Sequence, residues 1–203
     1  MAGEADEERG EEAVTHQPGS TIGILGGGQL GRMLAMAAAE MGYHCQIYSP
    51  EKDAPAFEVA KFHTHAPFED SAKLKAFADS VDVITYEFEN IPVAPLRAIA
   101  GKIRPGLEVL ETSQHRLKEK TALQQMGIQT APFAPVSSQA DLQAAIQKIG
   151  LPGVLKTCTM GYDGKGQWKL KEDRHPGEGR DPRQAAYSLK DVDASLRWHD
   201  KME

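Results

Sequence analysis

The sequence predicts an α/β protein in which a parallel-sheet domain precedes the first part of a second, α+β domain. The first observation is the segment Thr21–Glu40, where a short branched-aliphatic run, Ile22–Leu25, ends in three glycines and is followed by many Ala, Leu and Met residues. A buried strand, a glycine turn and a helix form the opening unit of a parallel sheet. The second observation is a further apolar strand at Val81–Tyr86. The third is a strand–helix–strand unit that begins after Pro132 and ends in a glycine-rich segment.

Composition is typical of an ordinary soluble globular protein. The chain has 203 residues, 40% hydrophobic and 26% charged, with a net charge of -6. Residues 1–20 carry six carboxylates against one arginine, so the rest is nearly neutral and lacks the basic surface of a nucleic-acid or anionic-membrane binder. No apolar run reaches the ~20 residues of a membrane span, and the acidic start is unlike a signal peptide. We therefore expect a cytoplasmic protein.

Metal and disulfide sites are not indicated by the spacing of cysteines and histidines. Cys45 and Cys158 lie far apart, without the paired spacing of a zinc site or a disulfide framework. His63 and His65 fall on one strand face, but no third ligand follows at a useful spacing. We predict surface histidines and no metal site.

The glycine turn is the first candidate binding site. Gly26, Gly28 and Gly31 satisfy a G-x-G-x-x-G spacing, and the free N–H groups at the start of the following helix favour an anion. A dinucleotide-binding domain would also carry an acidic residue at the end of the second strand. Here that strand, Tyr43–Tyr48, runs into Ser49-Pro50. The pattern favours a phosphate or polar-substrate site, with a dinucleotide site as the alternative.

Two carboxylates follow the third predicted strand. Ligands of open parallel sheets bind beyond the carboxyl ends of the strands, which is where Glu87, Glu89 and Asn90 lie. Glu87 and Glu89 are two residues apart, so in extended backbone both side chains share one face. A solvated loop explains the same residues. A further strand is predicted at Leu107–Leu110.

The second half of the chain begins with a predicted helix that starts after Thr112 or Ser113 and runs to Met126. Arg116, Lys118 and Lys120 on this helix are suited to phosphate contacts, although a solvated helical face accounts for their spacing equally well. After it, Phe133–Val136 is predicted to be a strand.

A helix capped by Ser138 and two short strands, Gly153–Lys156 and Gln167–Leu170, follow. Lys156 ends an apolar strand, where an ammonium group is costly without an anionic partner. The glycine-rich turn between the two strands is compatible with a flap whose amides close over phosphates, and equally with an ordinary hairpin.

These features divide the chain into four parts. We predict a disordered acidic leader over 1–20 and an α/β domain over 21–111. A linker helix with a partial second domain and the glycine flap follows over 112–170, and an atypical, mostly disordered tail covers 171–203.

Four stretches together resemble the 5-(carboxyamino)imidazole ribonucleotide synthase family, the ATP-grasp ligases of bacterial and fungal purine synthesis. They are Gly26 to Met33, Thr85 to Pro92, Arg116 with Glu119-Lys120, and Leu155-Lys156 with Gly161 to Trp168. The resemblance covers about Thr21 to Leu170 and implies a Rossmann-like pre-ATP-grasp domain followed by the first part of an ATP-grasp domain.

The resemblance implies a carbon–nitrogen ligase. Members of the family use ATP to join bicarbonate to the amine of aminoimidazole ribonucleotide by way of carboxyphosphate, with Mg²⁺ as a cofactor and usually as homodimers. It implies ATP contacts from Arg116, Lys156, Gly161, Tyr162, Asp163, Gly164, Lys165, Gly166 and Gln167. It implies ribonucleotide contacts from Gly28, Gln29, Leu30 and Glu89. It assigns no catalytic residue and no metal ligand to this chain.

The departures from the family pattern begin after Leu170. The family's magnesium carboxylates, adenine-binding strand and basic residues for the ribonucleotide phosphate do not appear there. We therefore expect this polypeptide alone to be inactive. A stand-alone nucleotide- or dinucleotide-binding domain and a non-catalytic remnant are the alternatives.

Overall fold

The computed structural model describes residues 15–161 and 165–171, and these form two compact units that divide after Leu110. The elements of the first unit are β1 (Thr21–Leu25), α1 (Gln29–Glu40), β2 (His44–Ser49), β3 (Phe62–His65), α2 (Ser71–Asp79), β4 (Val83–Tyr86), α3 (Val93–Leu96) and α4 (Leu107–Ser113), the last of which extends three residues past the division. Short 3₁₀ turns cover Pro55–Glu58 and Arg97–Lys102. The predicted tail and most of the predicted leader lie outside the described residues.

The sheet of the first unit is parallel throughout, with the strand order β3-β2-β1-β4. The predicted parallel α/β domain is therefore confirmed. Because β1 is central, its carboxyl end at Leu25 lies between Tyr48 of β2 and Tyr86 of β4. The segments that follow these three strands consequently meet at one edge of the sheet, as expected for a ligand-binding edge.

Each face of the sheet covers its own apolar cluster, because neighbouring residues of a strand point to opposite faces. Ile24 and Ile47 pack on one side with Ala35 of α1. Leu25 and Tyr48 pack on the other side with the larger cluster that contains α2. The glycine turn thus follows directly after a strand that is buried on both faces.

Two sequence expectations about α4 and the next helix are wrong. Leu107–Leu110 is not a strand but the first part of α4, because Leu107 and Leu110 are three residues apart and both reach the core from one helical face. The helix that was predicted to start after Thr112 or Ser113 starts later, at Arg116, and forms α5. His115 caps it by accepting a hydrogen bond from the N–H of Lys118.

The second unit contains α5 (Arg116–Gln125), α6 (Gln139–Ile149), β5 (Gly153–Lys156) and β6 (Gln167–Leu170), the last two paired antiparallel. Ser138 caps α6 as predicted, by accepting from the N–H of Asp141 at 3.1 Å. The predicted strand Phe133–Val136 is irregular instead. No described strand pairs with this segment, and Pro132 and Pro135 cannot donate backbone hydrogen bonds to one.

Tyr48 is the largest fully buried side chain of the first unit. Its hydroxyl donates to the carbonyl oxygen of Pro67 at 2.7 Å, and its ring meets Phe77 edge-on with 5.3 Å between centroids. Burial, followed by the charges of Asp70 and Glu69, raises the pKa of Tyr48 to about 12. The phenol therefore remains a neutral donor at physiological pH.

We expect Tyr48→Phe to lower the free energy of unfolding by about 1 kcal/mol, because the Pro67 carbonyl loses its donor while the packing is kept. Urea denaturation followed by circular dichroism measures this. Tyr43→Phe is the matched control, since its hydroxyl donates to the His16 carbonyl at 3.0 Å in a less buried position. An equal or larger loss in the control would contradict the role assigned to Tyr48.

Candidate functional site

The glycine turn connects β1 to α1 at the carboxyl edge of the sheet. The Gly26 N–H donates to the carbonyl oxygen of Tyr48 at 2.9 Å, and the carbonyl oxygen of Gly27 accepts from the N–H of Ala56 at 2.9 Å. Gly26 has φ +103°, a left-handed value that favours glycine. The turn is therefore fixed by backbone hydrogen bonds to β2 and to the segment that follows it.

The anion position at the start of α1 is occupied by a side chain of the protein itself. The Gly28 N–H donates to Glu87 Oε1 at 2.6 Å, and the Gly31 N–H donates to Glu87 Oε2. Gly28 is the N-cap residue and has no side chain of its own to accept these bonds. A carboxylate 59 residues further along the chain than Gly28 supplies the cap instead.

The three glycines of the G-x-G-x-x-G spacing all lie against Glu87. A Cβ placed on Gly26 would lie 2.5 Å from Glu87 Cγ, and one on Gly31 would lie 2.8 Å from Glu87 Oε2. A Cβ on Gly28 would lie 3.0 Å from Glu87 Oε1. The absence of side chains at these positions therefore makes room for the glutamate.

Two N–H groups of the turn remain without a protein acceptor among the described residues, those of Gln29 and Leu30. They are the first two residues of α1, so neither has a partner inside the helix. The adjoining cleft is lined by Gly26, Gly27, Gly28, Ser49, Pro50, Glu51, Glu87 and Phe88. This cleft, together with the two amides that follow Gly28 in the chain, is the candidate substrate site.

Of the predicted ribonucleotide contacts, Gly28 lines this cleft, whereas the side chains of Gln29, Leu30 and Glu89 are exposed and are not part of its lining. Glu87, which was not among the predicted binding residues, is the carboxylate that contacts the turn. The available signal was its position directly after β4, the strand that pairs with β1. Glu87 follows Tyr86, the partner of Leu25, and its N–H donates to the Leu25 carbonyl at 3.1 Å.

In the second unit, α5 and the β5–β6 hairpin are joined at their ends. The Arg116 N–H donates to the carbonyl oxygen of Cys158 at 2.8 Å, and the Thr157 N–H donates to that of Gly166 at 2.8 Å. A Cβ on Gly161 would lie 3.8 Å from Arg116 Nη2. The predicted ATP contacts Arg116, Gly161 and Gly166 are thus grouped at one end of the hairpin.

Two buried polar atoms at this place have no hydrogen-bond partner within the described part of the chain, Arg116 Nε and Thr157 Oγ1. A buried donor without an acceptor is unfavourable, and a bound anion would relieve it. Lys156 is exposed on the hairpin, paired with Gln167 across the ladder. The predicted contacts Tyr162, Asp163 and Gly164 lie outside the described residues.

No group of three or more His, Cys, Asp or Glu side chains with metal-binding geometry occurs among residues 15–161 and 165–171. His63 stacks on Phe57 with 4.4 Å between centroids, and His65 Nε2 lies 3.1 Å from the Pro50 carbonyl oxygen. Within the same ranges, no helix combines the length and apolar character of a membrane span.

Comparison with known proteins gives two family matches. Residues 19–114 match the ribonucleotide synthetase preATP-grasp domain, and residues 121–182 match the ATP-grasp domain. The chain is 43% identical over 158 residues to N5-carboxyaminoimidazole ribonucleotide synthase of Bacillus subtilis, covering 77% of this chain and 42% of that protein. It is 48% identical over 156 residues to the Brucella melitensis protein of the same name, covering 76% and 43%.

Among solved structures, the chain resembles N5-carboxyaminoimidazole synthetase from Staphylococcus aureus complexed with ADP. The TM-score is 0.76 at 34% identity, covering 92% of this chain and 46% of that one. The chain thus spans less than half the length of these relatives.

We expect Gly28→Ala to destabilise the first unit by about 1 kcal/mol, because the new Cβ would press on Glu87 Oε1. The penalty should disappear when Glu87→Ala is present as well, since the three heavy atoms nearest to that Cβ all belong to Glu87. Thermal or urea unfolding of the two single variants and the double variant measures this coupling. Gly101→Ala, which meets nothing within 4 Å, is the control. Additive effects of Gly28→Ala and Glu87→Ala would be inconsistent with the contact.

Proposed function

Because the chain belongs to the N5-carboxyaminoimidazole ribonucleotide synthase family of ATP-grasp ligases, we propose that it is part of an enzyme that carboxylates 5-aminoimidazole ribonucleotide. In the proposed reaction ATP phosphorylates bicarbonate, giving carboxyphosphate and ADP. The amine of the ribonucleotide then captures the carboxyl group with release of phosphate. The product is 5-(carboxyamino)imidazole ribonucleotide, an intermediate of de novo purine biosynthesis.

The observation that carries this proposal is the pair of unpartnered amides of Gln29 and Leu30 beside a cleft at the carboxyl edge of the parallel sheet. We propose that the ribonucleotide lies there, in contact with Gly28, Gln29, Leu30 and Glu89. Two backbone donors of fixed direction are suited to orient a polar ligand, because they need no rearrangement when it binds.

ATP is proposed to lie at the end of the β5–β6 hairpin, in contact with Arg116, Lys156 and the Gly161–Gln167 segment. The unpartnered Arg116 Nε supports this, since a phosphate oxygen would supply the missing acceptor. Lys156 and Lys165 add positive charge on the same hairpin. Such cations favour phosphoryl transfer by stabilising the charge that develops on the transferring group.

Magnesium belongs to the chemistry of this family, and when bound it would supply charge neutralisation at the phosphates. The part of the chain that the structure describes contains no cluster of carboxylates suited to it. None of these residues is therefore proposed as a metal ligand. We propose a homodimer for the intact enzyme, which size-exclusion chromatography with light scattering would test.

A non-catalytic role is the second candidate, favoured by the partial coverage of the relatives. ADP release by the purified chain in the presence of ATP, Mg²⁺, bicarbonate and the ribonucleotide distinguishes the two. Release that requires the ribonucleotide supports catalysis by this chain. A folded chain that binds ATP and releases no ADP would support the second candidate.

We expect Arg116→Ala and Lys156→Ala each to weaken ATP binding by about tenfold or more, because each removes a charged partner of a phosphate. Isothermal titration calorimetry measures the dissociation constant. Lys118→Ala and Lys169→Ala are the matched controls, since both are exposed cations on α5 and on the hairpin. An equal loss of ATP affinity in the controls would mean that binding depends only on the overall positive charge, which would contradict the assigned contacts.

A further inference from the structure

We propose that Glu87 determines the ligand specificity of the glycine turn by acting as its resident anion, so that diphosphates and dinucleotides are excluded. This role of Glu87 is independent of the reaction proposed above. Two observations support it: the Glu87 oxygens already accept from the Gly28 and Gly31 N–H groups, and Glu87 fills the space beside the three glycines.

The Glu87 carboxylate takes the place that a diphosphate would need. Its two oxygens accept from the N–H groups of Gly28 and Gly31, which lie in the turn and in the first turn of α1. In a dinucleotide-binding fold the pyrophosphate lies at this helix start. A phosphate at the same N–H groups would meet a carboxylate at hydrogen-bond distance, and two anions cannot share those donors.

The volume left by the absent side chains of the three glycines supports the same conclusion. In the dinucleotide fingerprint, glycine lets the backbone approach the pyrophosphate closely. Here the volume beside Gly26, Gly28 and Gly31 is filled by Glu87, which would lie 2.5 to 3.0 Å from a Cβ at each position. The G-x-G-x-x-G spacing in this chain therefore accommodates the Glu87 side chain, and not a pyrophosphate.

The backbone of Glu87, directly after β4, is held by β1, so that displacement of its side chain by a free ligand is unfavourable. Its N–H donates to the Leu25 carbonyl at 3.1 Å, directly beside the turn that its carboxylate caps. A tethered group of this kind competes at a high effective concentration. The neighbouring N–H groups of Gln29 and Leu30 remain available, and the adjacent negative charge favours an uncharged oxygen, such as a sugar hydroxyl, over a phosphate there.

The test is a titration of the whole chain with inorganic pyrophosphate, without added metal, followed by calorimetry and by the shift in melting temperature. We expect Glu87→Ala and Glu87→Ser to bind pyrophosphate at least about tenfold more tightly than the unaltered chain, because both free the two N–H groups. Glu51→Gln is the matched control. It removes a carboxylate that lines the same cleft without touching those N–H groups, and we expect little change.

Three results would overturn the proposal: tight binding by the unaltered chain, no gain in the folded Glu87 variants, or an equal gain in the Glu51 control. If both Glu87 variants are unfolded in buffer, millimolar pyrophosphate should restore their helical circular dichroism by replacing the lost anion. Failure to restore it would also contradict the proposal.

Discussion

The contact between the Glu87 carboxylate and the start of α1 is the interaction on which the candidate substrate site depends. It joins three segments that meet at the sheet edge: the end of β1, the first turn of α1 and the segment after β4. A helix start exposes four N–H groups and a partial positive charge, so it is stable in a buried position only when an acceptor is supplied. By accepting two of these bonds, Glu87 fixes the directions of the other two. The candidate substrate site is thus defined by the N–H groups that the capping residue leaves unpaired.

The two units differ in the number of apolar side chains that are buried among their described residues. In the first unit, both faces of the sheet cover apolar clusters with many fully buried side chains. In the second unit, Leu142 alone among the described residues is a buried hydrophobic side chain, and Met126, Ile128 and Val154 are exposed. Apolar burial is the main driving force of folding, so the second unit relies more on its backbone contacts. The bond between Arg116 and Cys158 is one of these, and it keeps the proposed phosphate contacts on one frame.

Much of the fold could be predicted from local patterns, because apolar periodicity and glycine turns report on nearby backbone. The strand, turn and helix at Thr21–Glu40, the parallel sheet and the β5–β6 hairpin are confirmed. Leu107–Leu110 was misread because a four-residue apolar run satisfies a strand and a helical turn equally. Phe133–Val136 has strand-like residues, but a strand also requires a partner, which local sequence does not reveal. At the site, the position of the turn could be predicted locally, whereas the contact made by Glu87 depends on strand order. The substrate contacts at Gly28, Gln29, Leu30 and Glu89 stay predictions, as do the ATP contacts at Arg116, Lys156 and the flap.

The long-range origin of the helix cap has an evolutionary consequence. A fingerprint of glycines is usually interpreted from the few residues that contain it, yet here its meaning depends on one side chain 56 residues away. In the genetic code, a glutamate codon becomes an alanine or glycine codon by a single nucleotide change. One nucleotide change can therefore remove the carboxylate that caps the turn while the glycine spacing itself stays the same.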